Sequence, residues 1–263
     1  MMDSDNPLSL WEAIRQADTA AVQAMGCLVD RDDGIERITS REFDQPWFNF
    51  ARVIAPPQNK EAALQRLVHY YHSRGTDARL QVPCEAVPGD FEPMVMAAGF
   101  YLREALTILY YDGNPVPPPE NPRIRIYPVQ PDGVILYTNL VIEGFGGQPD
   151  DGPYARQLWI QHRKGLSLGN HLYIAEYDGE PAGTGAVGSS PISQITAIST
   201  LPRFRRKGIA TAMIYHLMQE AARRGARLFY LAAETEDAAR LYRSLGFQDL
   251  IHLHNYILPQ ESQ

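Results

Sequence analysis

An ordered pair of short marks occurs twice in the chain, and this constrains the fold more than any other feature. Arg74-Gly75-Thr76-Asp77-Ala78-Arg79-Leu80 has a counterpart in Arg224-Gly225-Ala226-Arg227-Leu228. Each follows an amphipathic helical stretch and precedes a short apolar run. Further on, Ala98-Gly99-Phe100 is matched by Leu245-Gly246-Phe247, with 24 residues from Gly to Gly in the first case and 21 in the second. A shared order at nearly shared spacing is the mark of duplication. The length of 263 residues accommodates two copies, since domains of about 100–150 residues support their own cores.

The copies meet at Asp112–Pro122, where five of eleven residues are proline. Proline fixes φ and donates no backbone hydrogen bond, so the stretch reads as a stiff extended linker. The expected organisation is therefore a first domain over 1–114, a linker over 115–122 and a second domain over 123–263.

Composition narrows the class. The apolar share of 44% and charged share of 21% are those of a globular protein rather than a disordered one. Two cysteines, Cys27 and Cys84, are too few for a disulfide scaffold or a structural zinc cluster and fit a reducing, cytoplasmic location. No apolar run reaches the length of a membrane span, and the start Met1-Met2-Asp3-Ser4-Asp5-Asn6-Pro7 is not that of a signal peptide. Residues 1–119 hold 10 Lys+Arg against 17 Asp+Glu, and residues 120–263 hold 14 of each, so the whole net charge of −7 lies in the first half. That balance argues against nucleic acid as a partner.

The second half shows its elements clearly. Strands are expected over 172–177, 183–188 and 192–200, with Asp178-Gly179 as a tight turn. The apolar positions Ile209, Ala210, Met213, Ile214, Leu217, Met218 and Ala221 predict a helix between Gly208 and Gly225. A buried strand at 228–231, a helix from Asp237 to Ser244 and a last strand over 252–258 complete an α/β (α+β) domain with a mixed sheet. In the first half, helices are expected over 10–25 and 61–73, and a strand over 103–111.

The segment Thr200-Leu201-Pro202-Arg203-Phe204-Arg205-Arg206-Lys207-Gly208-Ile209-Ala210 carries the chemistry. A strand ends, a basic turn follows and a helix begins at a glycine. Such a junction offers free N–H groups and the positive end of a helix dipole, which together make an anion site. One strand and one helix later comes Ala238-Ala239-Arg240-Leu241-Tyr242-Arg243-Ser244-Leu245-Gly246-Phe247.

With these two segments at this separation, residues 123–258 resemble the GNAT superfamily of acyl-CoA-dependent N-acyltransferases. The resemblance implies a tandem arrangement of two GNAT-like domains, each a mixed, mostly antiparallel sheet flanked by helices. It implies that the backbone amides of Arg205, Arg206, Lys207, Gly208, Ile209 and Ala210 hold the pyrophosphate of acetyl-CoA as co-substrate. Ala197, Ile198, Ser199 and Thr200 would line the pantetheine arm. A backbone N–H at Ser199 or Thr200 would polarise the thioester carbonyl. Tyr242 would protonate the departing thiolate, a role suited to a phenol with a pKa near 10 against a thiol's roughly 8.5.

Two departures stand out. Thr235 occupies the position where the family often has an asparagine contacting pantetheine, and Gln194 stands near where many members have a glutamate base. A water, Glu143, Glu234 and Tyr230 remain as proton acceptors, or the amine arrives neutral. The first half reads as a degenerate copy. Its Ile54-Ala55-Pro56-Pro57-Gln58-Asn59-Lys60-Glu61 has neither glycine nor arginine in the turn, and Val95 stands where the second copy has Tyr242. That half would shape the acceptor pocket.

The expected activity is transfer of acetyl from acetyl-CoA to a primary amine, on a small molecule or a peptide, by direct attack. The protein would act as a monomer or homodimer, with no membrane partner. The alternative is a non-catalytic acyl-CoA-binding sensor or adaptor using the same cradle. His252 and His254 can share a strand face, but with no third ligand visible no metal is expected.

Overall fold

The computed structural model of the protein describes residues 6–113, 117–118, 120–150 and 152–260. The expected domain boundary at 114/115 and part of the linker lie outside the described residues.

In chain order the elements are α1 (Pro7–Ala24), β1 (Leu28–Asp32), β2 (Ile35–Thr39), β3 (Phe50–Val53), α2 (Lys60–His72), β4 (Ala78–Pro83), α3 (Phe91–Ala97) and β5 (Tyr101–Tyr111). There follow β6 (Ile124–Pro128), α4 (Val134–Gly144), α5 (Pro153–Ser167), β7 (His171–Tyr177), β8 (Glu180–Val187), β9 (Ile192–Thr200), α6 (Ile209–Arg223), β10 (Leu228–Ala233), α7 (Glu236–Ser244) and β11 (Gln248–Leu258). The chain is thus mixed α/β. Among the strand pairs whose register is described, all are antiparallel except β3 with β4 and β9 with β10, one parallel pair in each half. No helix among the described residues is long and apolar enough to cross a membrane.

Two compact units share these elements. One comprises the chain through Leu109, Ala232–Arg240 and the segment from Gln248; the other comprises Tyr110–Leu231 and Leu241–Phe247. This division differs from the cut read off the sequence, which gave everything from 123 onward to the second domain. The last strand belongs to the first unit, whose sheet runs β1-β2-β3-β4-β11-β5. There β11 pairs antiparallel with β4 from Leu253↔Pro83 to Leu258↔Ala78. A strand over 252–258 was expected from the sequence; Leu253 and Tyr256 are buried in it, but residue identity did not say which sheet would receive it.

In the first unit, Asp33 and Gly34 take φ of 44° and 77° and turn β1 into β2. Asp178 and Gly179 do the same between β7 and β8 in the second, with φ of 54° and 83°. Both are Asp-Gly hairpin turns of the kind that matches strand twist. The duplicated marks prove to be helix ends. Gly99 N–H donates to Met96 and Phe100 N–H to Val95, while Gly246 N–H donates to Arg243 and Phe247 N–H to Tyr242. Val95 and Tyr242 therefore hold equivalent positions, as the alignment of the two copies required.

A buried carboxylate pins α1 of the first unit to its sheet. Glu36 on β2 is fully buried. Its Oε1 accepts from Arg15 NH1 at 3.1 Å and from Arg31 NH2 at 2.9 Å, and its Oε2 accepts from Arg52 Nε at 2.8 Å and Thr19 Oγ1 at 2.9 Å. Burial raises the Glu36 carboxyl, but the Arg52 charge and these donors outweigh it and hold the group below its ordinary value.

The second unit's sheet runs β10-β9-β8-β7-β6. The amphipathic α6 buries Ile209, Met213, Ile214, Leu217 and Met218. It packs tightly because β8 offers glycine beneath it: a Cβ on Gly185 would lie 2.6 Å from Met213 Cγ and 2.9 Å from Leu217 Cδ1. The sequence reading missed α4 and α5. They carry apolar residues on their outer faces, among them Ile135, Leu136 and Ile160, which blurs the helical stripe.

Candidate functional site

The second unit contains an opening made by two diverging strands. β9 and β10 pair only at Leu228↔Ile192, Phe229↔Ser193 and Tyr230↔Gln194. Beyond Gln194, β9 has no ladder partner on that side among the described residues, so its edge polar groups are left to another partner.

A bulge shapes this free edge. The β8–β9 register slips between Thr184 and Ala186, which pair with Ser199 and Thr196 respectively. Ala197, inside the bulge, has φ of 53°, a left-handed conformation that costs a non-glycine residue roughly 1–2 kcal/mol. Thr184 Oγ1 donates to the Ala197 carbonyl at 2.9 Å and holds it there. Sequence reading found Ala197 through the family resemblance; nothing in its residue type signals the bulge.

β9 leads through Leu201 and a 3-10 turn at Pro202–Phe204 into the basic loop and α6. Arg206 and Gly208 have φ of 64° and 82°. Gly208 is the N-cap of α6 and supplies no side-chain cap, and no atom lies within 4 Å of where its Cβ would stand. An uncapped helix N-terminus beside open space is what an anion needs. Residues 205–210, expected as the pyrophosphate cradle, form this junction.

The basic side chains have separate uses. Arg205 reaches away from the helix axis, its Nε donating to Thr200 O and its NH2 to Gly144 O, each at 3.3 Å. Lys207 Nζ lies 4.6 Å from the centroid of the Tyr177 ring and 5.0 Å from that of Phe204. Such cation–aromatic contacts draw the ammonium onto the sheet side of the loop. Arg206 is exposed.

Of the other candidates, Ser199 is buried, and its hydroxyl lies 2.7 Å from Thr184 Oγ1. The serine side chain therefore serves the sheet. Thr200 Oγ1 is buried without a hydrogen-bond partner among the described residues. Tyr242 on α7 is 8% exposed and packs against Phe247, ring centroids 6.3 Å apart. Thr235 caps α7, its hydroxyl accepting from Ala238 N–H at 3.2 Å. Glu143 is ion-paired with Arg203 at 3.0 Å. Partial burial, and then the nearby Glu104 carboxylate, raise the Glu234 carboxyl above its ordinary value. Tyr230 is buried on β10, next to the point where pairing with β9 ends.

The corresponding junction of the first unit is closed by the chain itself. Asn59 caps α2, accepting from Ala62 N–H at 3.1 Å. The Asp33 carboxylate accepts from Gln58 N–H at 2.8 Å and Asn59 N–H at 3.3 Å. Those backbone bonds, the one from Gln58 foremost, lower the Asp33 carboxyl. A carboxylate thus sits where the second unit keeps an open, uncapped helix end. Asp33 was not singled out in the sequence, because its use depends on the hairpin folding back over the β3–α2 loop.

Residues 137–247 match the model of the acetyltransferase (GNAT) family. An uncharacterized N-acetyltransferase, YjgM of Escherichia coli strain K12, is 30% identical over 89 residues, which are 31% of this chain and 53% of that protein. The chain spans about half the length of that curated relative. A GCN5-related N-acetyltransferase from Kribbella flavida superposes with a TM-score of 0.72 at 16% identity, over 94% of this chain and 95% of its own. A tandem GNAT protein from the clavulanic acid biosynthesis pathway superposes with a TM-score of 0.58 at 14% identity, over 81% and 76%. At these identities the structural likeness is one of fold. Residues 137–247 are therefore a domain of the GNAT acetyltransferase family, whose chemistry is acyl transfer from a CoA thioester, set in a chain that shares its fold with two-domain GNAT proteins.

Proposed function

We propose that this protein is an N-acetyltransferase that moves the acetyl group of acetyl-CoA to a primary amine by direct attack. The observation that carries the reading is the conjunction of a splayed β9–β10 pair with an uncapped α6 N-terminus at its mouth. In this account the N–H groups of 205–210 receive the pyrophosphate of the co-substrate. The free edge of β9 at 197–200 pairs with the amides of the pantetheine arm, in the manner of an added strand. A backbone N–H at Ser199 or Thr200 polarises the thioester carbonyl.

The amine nitrogen then forms its bond to the acetyl carbon, and the carbon–sulfur bond breaks. The phenolic proton of Tyr242 passes to the thiolate sulfur, and the proton released by the amine returns to solvent. Burial of Ser199 and its hydroxyl contact with Thr184 support a backbone rather than a side-chain role at that position.

The reading is tested by release of free thiol from acetyl-CoA in the presence of a panel of primary amines. Amine-dependent thiol release with stoichiometric acetylated amine is the expected result. Tight CoA binding without turnover on any amine would instead identify a binding protein.

A further inference from the structure

We propose that Cys84, Glu92 and His254 in the first unit form a binding site for one zinc ion. The sequence offered His252 and His254 without a third ligand; the fold instead brings Cys84 and Glu92 beside His254 alone. The β11–β4 ladder sets His254 opposite Val82, two residues before Cys84. α3 then brings Glu92, in its first turn, to the same point. Cys84 Sγ, a Glu92 carboxylate oxygen and a His254 ring nitrogen all lie within 4.8 Å of one another.

The donor set is one sulfur, one nitrogen and one oxygen, the borderline mixture that suits zinc over calcium or magnesium. Metal–ligand bonds of about 2.0–2.3 Å at tetrahedral angles separate ligand atoms by about 3.4–3.6 Å. Small side-chain rotations reach that geometry. His254 Nδ1 and Glu92 Oε1, now 2.5 Å apart, open around the ion, and the sulfur closes on it. The Glu92 and His254 side chains are 25% and 30% exposed, so an ion can enter and a water can complete the fourth position.

An outer partner is already present. The Tyr256 hydroxyl donates to Glu92 Oε1 at 2.8 Å and orients the carboxylate, as such partners do around metal ligands. Neighbouring His252 is engaged with Glu85, Nδ1 to Oε1 at 2.6 Å, and stands outside the triad. Binding replaces the thiol proton of Cys84, while the His254 ring binds through Nδ1 with its proton on Nε2 and the Glu92 carboxylate binds as the anion. The thiol proton leaves to solvent, and nothing is oxidised or reduced. The ion would tie the last strand to the β4–α3 corner across a long stretch of sequence and so stabilise the unit.

The test uses the full-length protein, titrated with Zn²⁺ by calorimetry and with Co²⁺ by absorption spectroscopy. One equivalent per chain, a thiolate-to-cobalt charge-transfer band and tetrahedral d–d bands are expected, and Zn²⁺ should raise Tm. Cys84→Ser should lose the charge-transfer band. Glu92→Gln and His254→Ala should each weaken Zn²⁺ binding more than about 10-fold, and Tyr256→Phe by about 10-fold. His252→Ala should leave affinity unchanged. Absence of saturable binding overturns the proposal, as does a cobalt spectrum without the thiolate band, or an equivalent of zinc that all three ligand variants retain. The wild-type cobalt spectrum decides the matter even if a ligand variant fails to fold.

Discussion

In the proposed reading Tyr242 serves the chemistry and Gly208 the binding, and single substitutions separate the two roles. Tyr242→Phe deletes a proton donor and almost no volume. Loss of general acid catalysis costs about 10²–10⁴-fold in rate. The expected outcome is a kcat lowered by that order with CoA affinity nearly unchanged, read by steady-state kinetics and calorimetry. Equal turnover at pH 6–9, with chemistry rate-limiting, would reduce Tyr242 to a packing residue. Gly208→Val acts differently. It forces a branched residue to φ of 82° and fills space that now meets no atom within 4 Å. CoA binding should weaken by about 2–3 kcal/mol, the scale of a lost charge-assisted contact, with calorimetric titration as the check. Unchanged affinity in a folded variant would remove the pyrophosphate from this junction. Both residues were named from the sequence because the motif fixes residue type and spacing. The bulge at Ala197 and the use of Asp33 were not legible, since a bulge and a long-range backbone contact leave no trace in residue identity.

Among the elements, β2 holds the sharpest electrostatic dependence. Glu36 is buried with three arginines around it. Glu36→Gln leaves those guanidinium groups without their carboxylate, and breaking such a buried pair costs roughly 3–5 kcal/mol. The folded-state pKa lies below a glutamate's ordinary value. The contribution of Glu36 is therefore complete above that value and is lost as the pH falls through the lowered one. Tm should decline as the pH falls below a glutamate's ordinary pKa, and the Glu36→Gln variant should show a shallower decline. A parallel pH profile in the variant would contradict the assignment. None of this network was readable beforehand: Arg15, Glu36 and Arg52 look like surface charges until α1, β2 and β3 bring them together. Apolar patterning that stops at glycines did reveal α1, α2 and α6, and the run of β-forming residues before a tight turn revealed β7. Patterning failed for α4 and α5, which leave large apolar residues exposed.

For the whole molecule, the duplication seen in two short marks extends to the order of elements, to one parallel pair per unit and to the helix ends at Gly99 and Gly246. What the duplication did not reveal is the membership of β11, because sequence order does not dictate which sheet accepts a strand. The two helix junctions differ, and in the proposed reading that difference sets the stoichiometry. In the second unit the α6 N-terminus is uncapped and open; in the first, Asn59 and Asp33 already satisfy the equivalent N–H groups. Equilibrium titration with CoA tests this account most directly. It predicts one equivalent bound per chain, with affinity weakened in Gly208→Val and preserved in Asp33→Ala. Two equivalent sites, or one site indifferent to Gly208→Val, would contradict it.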